Sequence, residues 1–358
     1  MREVMSRISP PCPDIKRTPP SLATAGVLVA LSADERRLFF PDTRAEHGPG
    51  RYEWIDAAGM GRLAWKHHIE KTAPTVVVSG WTTPAIDFGQ TTAGGGSIDY
   101  VCHVAGSVRH VVDLEMLAAG LRVTNWGTLI APQVAEHALL TILALLRNLG
   151  LWREALTSPP APGPSPTERL ATRSLRGKNV SIHGFGSIAR ELIRLLRPFD
   201  VNIRVFSAGV PDSLIREHQA TPVTSLIKLA GKADVFVTCE ALTPATKKSI
   251  NAEVLTALPE GAVFVNVGRG AVVDEAALAE VAKARSLRIG SDVFAFEPLP
   301  ADSPLLSLPD AILSPHIAGP TLDAYVNCGR HALANIECYF DGRPLSGLVT
   351  PEIFSRST

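Results

Sequence analysis

The stretch VSIHGFGSIAR, residues 180–190, constrains the fold of this chain more than any other. A short apolar run with strand character ends in two glycines one residue apart. An amphipathic helical pattern, SIARELIRLLRPF, begins at once. Each small residue has a physical task in such a turn. Gly184 permits the tight reversal, Gly186 lets the backbone approach a bound group, and Ala189 lets the helix pack on the strand. Ser187 and Ile188 present backbone N–H groups at the positive end of the helix, where a phosphate is stabilised. The order G-x-G-x-x-A between a strand and a helix points to a dinucleotide site.

The surrounding pattern agrees. From Val180 onward, NVSIHGFG, VNIRVFSAG, ADVFVTCEA, AVFVNVGRG, RIGSDVFAFEP and AILSPHIAG read as six strands, most separated by helical patterns, as in a doubly wound parallel sheet. An earlier set of strand candidates, AGVLVAL (25–31), PTVVVSGWTTP (74–84), YVCHVAGSV (100–108) and RVTNWG (122–127), alternates with helices such as HVVDLEMLAAG (110–120). The chain therefore reads as two α/β units, the second inserted into the first. The expected organisation is a disordered, proline-rich tail over 1–22, a first domain over 23–128 and 321–358, and a dinucleotide-binding domain over 129–320. Residues 131–156 form the longest helical pattern, apolar nearly all round, and so expected to be buried, with a subunit interface as one use for it. The prolines of 157–179 imply an exposed connection.

Composition narrows the function. Lys+Arg and Asp+Glu are both 35, so no basic excess favours nucleic acid as a partner. Five dispersed cysteines without a CxxC pair give no metal spacing and read as reduced thiols of a cytoplasmic protein. No apolar run is long enough for a membrane span, and the N-terminal residues have no secretory-type apolar core.

A dinucleotide fold usually carries an acid at the end of its second strand to bind the adenosine ribose. Here that place holds Ser207, which would not repel a 2′-phosphate, yet no arginine follows until Arg216. Ser207 reads equally well as a plain turn residue. The choice between NAD and NADP stays open.

Five segments carry a wider resemblance: QVAEHALLTILALLR (133–147), HGFGSIA (183–189), AVFVNVGRGAVVDEAALAEVAKA (262–284), SDVFAFEPLP (291–300) and LSPHIAG (313–319). In that order and spacing the chain resembles the D-isomer specific 2-hydroxyacid dehydrogenases, a family that includes phosphoglycerate dehydrogenase and hydroxypyruvate/glyoxylate reductase. The resemblance implies two Rossmann-like doubly wound sheets, the cofactor domain inserted into a flavodoxin-like substrate domain. It also implies a homodimer and an NAD(P)-dependent reaction on a small 2-keto or 2-hydroxy acid. By matching motifs, Arg269, Glu297 and His316 would be the catalytic trio. Asp292 would sit by the nicotinamide amide, and Val267, Gly268 and the run His316 to Gly319 would line the cofactor. Backbone at Gly106, Ser107 and Val108 would hold the substrate carboxylate. Two departures stand out. His183 replaces a usually aliphatic residue, and CEALTP (239–244) brings Glu240 to the cofactor, where it could disfavour a phosphate-rich ligand or point to water.

The residue types suit the chemistry. Arg269 offers a planar, permanently charged fork for a carboxylate, and its glycine neighbours leave room for close approach. His316, with a reference pKa of about 6.5, can give and take a proton. Glu297 would hold its imidazole and favour the charged form. Both follow strand-like segments, whose ends line the crevice of an open α/β sheet.

Two other readings compete with this one. A dinucleotide-sensing, corepressor-like regulator could use the same fold, although retention of the trio weighs against it. A formate dehydrogenase would carry Gln in place of Glu297. Substrate selectivity is expected from the first domain, with Trp81 and Trp126 as pocket or core residues, and Arg109 and His110 as anion-binding or solvated ones.

Overall fold

The computed structural model describes residues 26–41, 51–157, 165–308 and 310–356. The expected disordered tail, and part of the expected connection over 157–179, lie outside the described residues. The chain divides into two compact units. One comprises the described residues up to Asn125 with Gly329–Pro351, and the other begins at Trp126 and runs to Cys328, with Glu352 onward. The crossing back into the first unit falls inside a helix rather than at residue 321.

In the first unit the elements are β1 (Gly26–Ala30), α1 (Ala33–Phe39), β2 (Arg51–Ile55), α2 (Arg62–Thr72), β3 (Val76–Ser79), β4 (Tyr100–His103), α3 (Leu114–Ala118) and β5 (Arg122–Thr124). All pairings are parallel, in the order β2-β1-β3-β4-β5, which is the flavodoxin-like arrangement. The central strands are buried on both faces, which is why they read as unbroken apolar runs. The edge strand β2, RYEWI, mixes charged and aromatic residues and went unrecognised in the sequence for that reason. The helix expected over 110–120 starts only at Leu114, because the Asp113 carboxylate accepts the N–H of Met116 at 2.9 Å and caps the first turn.

The second unit contains α4 (Ala131–Arg147), α5 (Trp152–Thr157), α6 (Pro166–Arg169), β6 (Asn179–His183), α7 (Ser187–Leu196), β7 (Asn202–Phe206), α8 (Asp212–Glu217), β8 (Thr221–Pro222), α9 (Leu226–Ala230), β9 (Val235–Thr238), α10 (Ala252–Thr256), β10 (Val263–Asn266), α11 (Glu275–Ala284), β11 (Arg288–Ser291) and β12 (Ile312–Leu313). Helix α12 (Tyr325–Phe340) then carries the chain back, and α13 (Pro351–Arg356) ends it. The sheet order is β12-β11-β10-β9-β6-β7-β8. Counted within this unit it is the doubly wound order 3-2-1-4-5-6 extended by one strand. The added strand is β12, at one edge; β8, at the other edge, is only two residues long and too short to show a period in the sequence.

Period-two alternation builds a core on each face of this sheet. Val235, Val237, Val263 and Val265 pack with Val180 and Ile182 against α4 and α7. Phe236, Phe264 and Ile289 point the other way, toward α9, α10 and α11, and the two phenyl rings stack 5.7 Å apart. The long apolar pattern over 131–156 is not one helix. Asn148 takes a left-handed conformation, φ 49°, and ends α4. Helix α4 is a core helix, with Ile142, Leu145 and Leu146 buried, but Leu140, Leu149, Trp152 and Leu156 stay exposed. Among the described residues no single helix is long and apolar enough to cross a membrane.

Helix α4 lies so close to β11 that a Cβ on Gly290 would come within 2.3 Å of the Thr141 methyl group. Gly290→Val is therefore expected to overpack this layer and lower stability by about 1–3 kcal/mol. Urea unfolding monitored by circular dichroism measures the shift.

Candidate active site

The crevice of an open α/β sheet lies at the carboxyl ends of the strands where their order reverses. Here that point is β6, which pairs with β7 on one side and β9 on the other. The turn after β6 has the expected geometry. Gly184 has φ 95°, a left-handed conformation that favours glycine. Gly186 is exposed, and a Cβ added there would meet nothing within 4 Å. It is also the N-cap of α7 and makes no side-chain cap, so the first amides of this ten-residue helix face open space. Ser187 and Ile188 are half-buried beside it, and Ala189 is buried against the sheet. A diphosphate fits this cradle in shape and in polarity.

Ser207 follows β7 and Glu240 follows β9. The structure brings the Ser207 side chain close enough to Glu240 to act on the charge of its carboxyl group. Glu240 is mostly buried, and burial raises its pKa above the usual carboxylate range, with the Ala241 N–H and the Ser207 hydroxyl opposing. His183 ends β6, is 2% exposed, and shares a 3.2 Å hydrogen bond between Nδ1 and the Thr238 hydroxyl. Burial pulls its pKa down to about 4, so it is neutral near pH 7.

The other half of the crevice is built by the ends of β10, β11 and β12. Asn266, the last residue of β10, ties the following turn together. Its Oδ1 accepts the Gly268 N–H at 3.0 Å and its Nδ2 donates to the Arg269 carbonyl at 3.2 Å. Val267 and Gly268 are buried there, and a Cβ on Gly268 would lie 2.7 Å from the Glu240 carbonyl oxygen. Arg269 is half-buried, with Nη1 donating to the Gly268 carbonyl at 2.8 Å. Burial lowers its pKa while the Glu297 charge opposes, and a guanidinium stays protonated regardless.

Glu297 uses both oxygens. Oε1 accepts the Phe294 N–H at 2.9 Å and Oε2 meets His316 Nδ1 at 2.6 Å. An ionised carboxylate only accepts, so Nδ1 carries the hydrogen and Nε2 is the ring nitrogen left without one. The segment bearing Glu297 is fixed by Glu275, whose Oε1 accepts the Ala295 N–H at 2.7 Å. Burial, and after it the nearby Glu297 charge, push the Glu275 carboxyl upward.

His316 has φ 54° and is held by Asp292. The Asp292 carbonyl accepts the His316 N–H at 2.9 Å. Its carboxylate, 2% exposed, accepts the N–H groups of Ile317 and Ala318, each at 2.9 Å, and the Ser314 hydroxyl at 2.6 Å. His137 of α4 completes the set, 3.0 Å from the Ser314 hydroxyl. The resemblance places Asp292 beside a nicotinamide amide; in the structure both its oxygens are engaged by the loop that carries His316. Gly319, at the end of that loop, packs against Val134, where a Cβ would come within 3.0 Å.

Arg269, Glu297 and His316 line one cavity of about 230 Å³, together with Leu242 and Phe294. The structure thus brings together three residues far apart in sequence. Gly106, Ser107 and Val108 belong to the first unit, where the Asn125 amide donates to the Gly106 carbonyl at 2.6 Å. Also in that unit, Trp81 is partly exposed and packs on Phe39 at 5.3 Å, and His110 Nε2 lies 3.0 Å from the Gly80 carbonyl. Trp126 is half-buried and Arg109 exposed. Sequence reasoning missed Leu242, Glu275, Asn266, Ser314 and His137. Glu275 was the most accessible of these, since it directly follows Asp274, the N-cap of α11.

Fold and cavity together define a dinucleotide-dependent enzyme scaffold with an Arg–Glu–His cluster. Comparison with known proteins sharpens this. The profile of the D-isomer specific 2-hydroxyacid dehydrogenase NAD-binding domain matches residues 139–318. The glycerate dehydrogenase of Hyphomicrobium methylovorum is 32% identical over 238 residues, 66% of this chain and 73% of that protein. The hydroxyphenylpyruvate reductase of Plectranthus scutellarioides is 30% identical over 236 residues, 63% of this chain and 70% of that protein. Among solved structures, the NADPH-dependent glyoxylate/hydroxypyruvate reductase of Sinorhizobium meliloti superposes with a TM-score of 0.69 at 25% identity, covering 93% of this chain and 100% of that one. The chain belongs to the D-isomer specific 2-hydroxyacid dehydrogenase family, whose members are NAD(P)-dependent oxidoreductases.

Two outcomes follow from this geometry. A Cβ on Gly270 would lie 1.9 Å from the backbone carbon of Phe294. Gly270→Ala must therefore displace the segment bearing Glu297, and is expected to lower kcat by at least about tenfold in steady-state assays. His183, neutral when folded down to about pH 4, takes up a proton near pH 6.5 once the chain unfolds. The unfolded state then binds more protons, so stability is full above about pH 6.5 and falls as the pH drops toward 4. His183→Val is expected to reduce this acid-side loss, read from thermal melts across that range.

Proposed function

We propose that the protein interconverts a small 2-keto acid and its D-2-hydroxy acid using NAD(P)H, with His316 as acid/base, Glu297 as its partner and Arg269 as the carboxylate-binding cation. The observation that carries this reading is the 2.6 Å bond between His316 Nδ1 and Glu297 Oε2 on the wall of the cavity that Arg269 shares. A nicotinamide bound in the crevice supplies or accepts the hydride. The residues of the chain do the rest. Arg269 grips the substrate carboxylate and polarises the neighbouring carbonyl. The imidazolium of His316 donates its Nε2 proton to the carbonyl oxygen during reduction, and the neutral ring accepts the hydroxyl proton in the reverse direction. The Glu297 charge holds the ring in the required tautomer and stabilises the imidazolium. Gly184, Gly186, Ser187 and Ile188 are the proposed diphosphate contacts, and Val267, Gly268, Asp292 and Gly319 the proposed nicotinamide side.

The backbone of Gly106, Ser107 and Val108 is proposed as a further carboxylate contact, on the resemblance alone. The exposed Leu140, Leu149, Trp152 and Leu156 support a homodimer.

NADH and NADPH oxidation followed by absorbance with glyoxylate, hydroxypyruvate and phenylpyruvate tests the activity. Turnover of at least one acid is expected. His316→Ala should then lower kcat by roughly 10²–10⁴-fold while leaving cofactor affinity almost unchanged. Equal loss of both would assign His316 a packing role. Tight cofactor binding without turnover of any acid would favour the regulatory sensor.

A further inference from the structure

The end of β7 offers a hydroxyl where a dinucleotide fold usually offers a carboxylate. The carboxylate is nevertheless present, supplied by the other flanking strand. Strand β6 lies between β7 and β9, so Ser207 and Glu240 converge from both sides on the turn at Gly184. A Cβ on Gly184 would lie 3.0 Å from the Glu240 Cα and N, which places the Glu240 backbone directly against the phosphate-binding turn. The Glu240 side chain is 19% exposed.

Its charge environment is unusual. The carboxyl group accepts the Ala241 N–H at 3.0 Å, and the Ser207 side chain lies near enough to favour its charge. Among the described residues it pairs with no lysine or arginine. The base beside it is His183, with Nε2 3.7 Å away, and burial keeps that ring neutral near pH 7. A half-buried carboxylate without a cation costs stability. Such a group is suited to accept hydrogen bonds from a vicinal diol and to repel a phosphate in the same position.

We infer that Glu240, with Ser207 beside it, takes the place of the missing second-strand acid, binds the adenosine ribose hydroxyls, and makes the site select NAD(H) against NADP(H). This rests on the dinucleotide reading above and deepens it.

Calorimetric titration of the purified protein with NADH and NADPH tests it. NADH is expected to bind more tightly by at least about tenfold. Glu240→Gln keeps the shape and removes the charge, and should narrow that gap by roughly tenfold, chiefly by strengthening NADPH binding. Ser207→Ala should narrow it by a smaller factor, because it removes only a neighbouring hydroxyl that favours the Glu240 charge. Equal affinity of the wild type for both nucleotides, or an unchanged gap in Glu240→Gln, overturns the inference while dinucleotide binding stands. Should Glu240→Gln fail to fold, the wild-type ratio and Ser207→Ala decide in the same way. Failure of the wild type to bind either nucleotide overturns the dinucleotide reading itself, and this inference with it.

Discussion

The part of the second unit that carries the Arg–Glu–His cluster depends on one buried carboxylate. Asp292 collects the amides of Ile317 and Ala318 and the hydroxyl of Ser314, while its own carbonyl receives the His316 amide. Hydrogen bonds to a charged acceptor are stronger than neutral ones, and in a dry interior they are expensive to break. They fix a short loop with no regular structure of its own, and hold His316 in a left-handed conformation that a histidine adopts only when its surroundings impose it. The imidazole can then meet Glu297 without a search. Removing the Asp292 charge would strand three donors at once, so this residue supports the site by positioning it.

A second constraint is the topology of the sheet. Parallel strands deliver every crossover to the same end, so the turns after β6, β9, β10 and β11 crowd into one region. Glycine is required where these turns touch. Gly184 and Gly268 both abut the Glu240 backbone, and Gly270 abuts Phe294. The glycine turn after β6, the loop ends at Ser207 and Glu240, and the Arg–Glu–His cluster are therefore neighbours because of strand order.

Much of this was legible in the sequence, for physical reasons. Buried parallel strands read as apolar runs, and the turn after β6 needs small residues at fixed offsets. The Arg–Glu–His trio could be picked out because each member sits in a short motif at a strand end. What stayed hidden depends on pairing or on local hydrogen bonds. Strand β2 is a mixed-character edge, and β8 is two residues long. Asn148 breaks an apolar pattern that looked continuous through residue 156, and Asp113 delays the start of α3. The meeting of Ser207 and Glu240 could not be foreseen, since the two lie 33 positions apart (240 minus 207) and are joined only by sheet order.

The seating of Gly270 on Phe294 bears on how substrate preference can drift among relatives. That contact locks the floor of the cavity to the chain segment carrying Glu297, so few replacements there preserve the Glu297–His316 pair. Leu242 borders the same space from a loop after β9 that makes no hydrogen bond to the trio through its side chain. A bulkier or smaller side chain at that wall alters the room in the cavity without touching the Glu297–His316 pair.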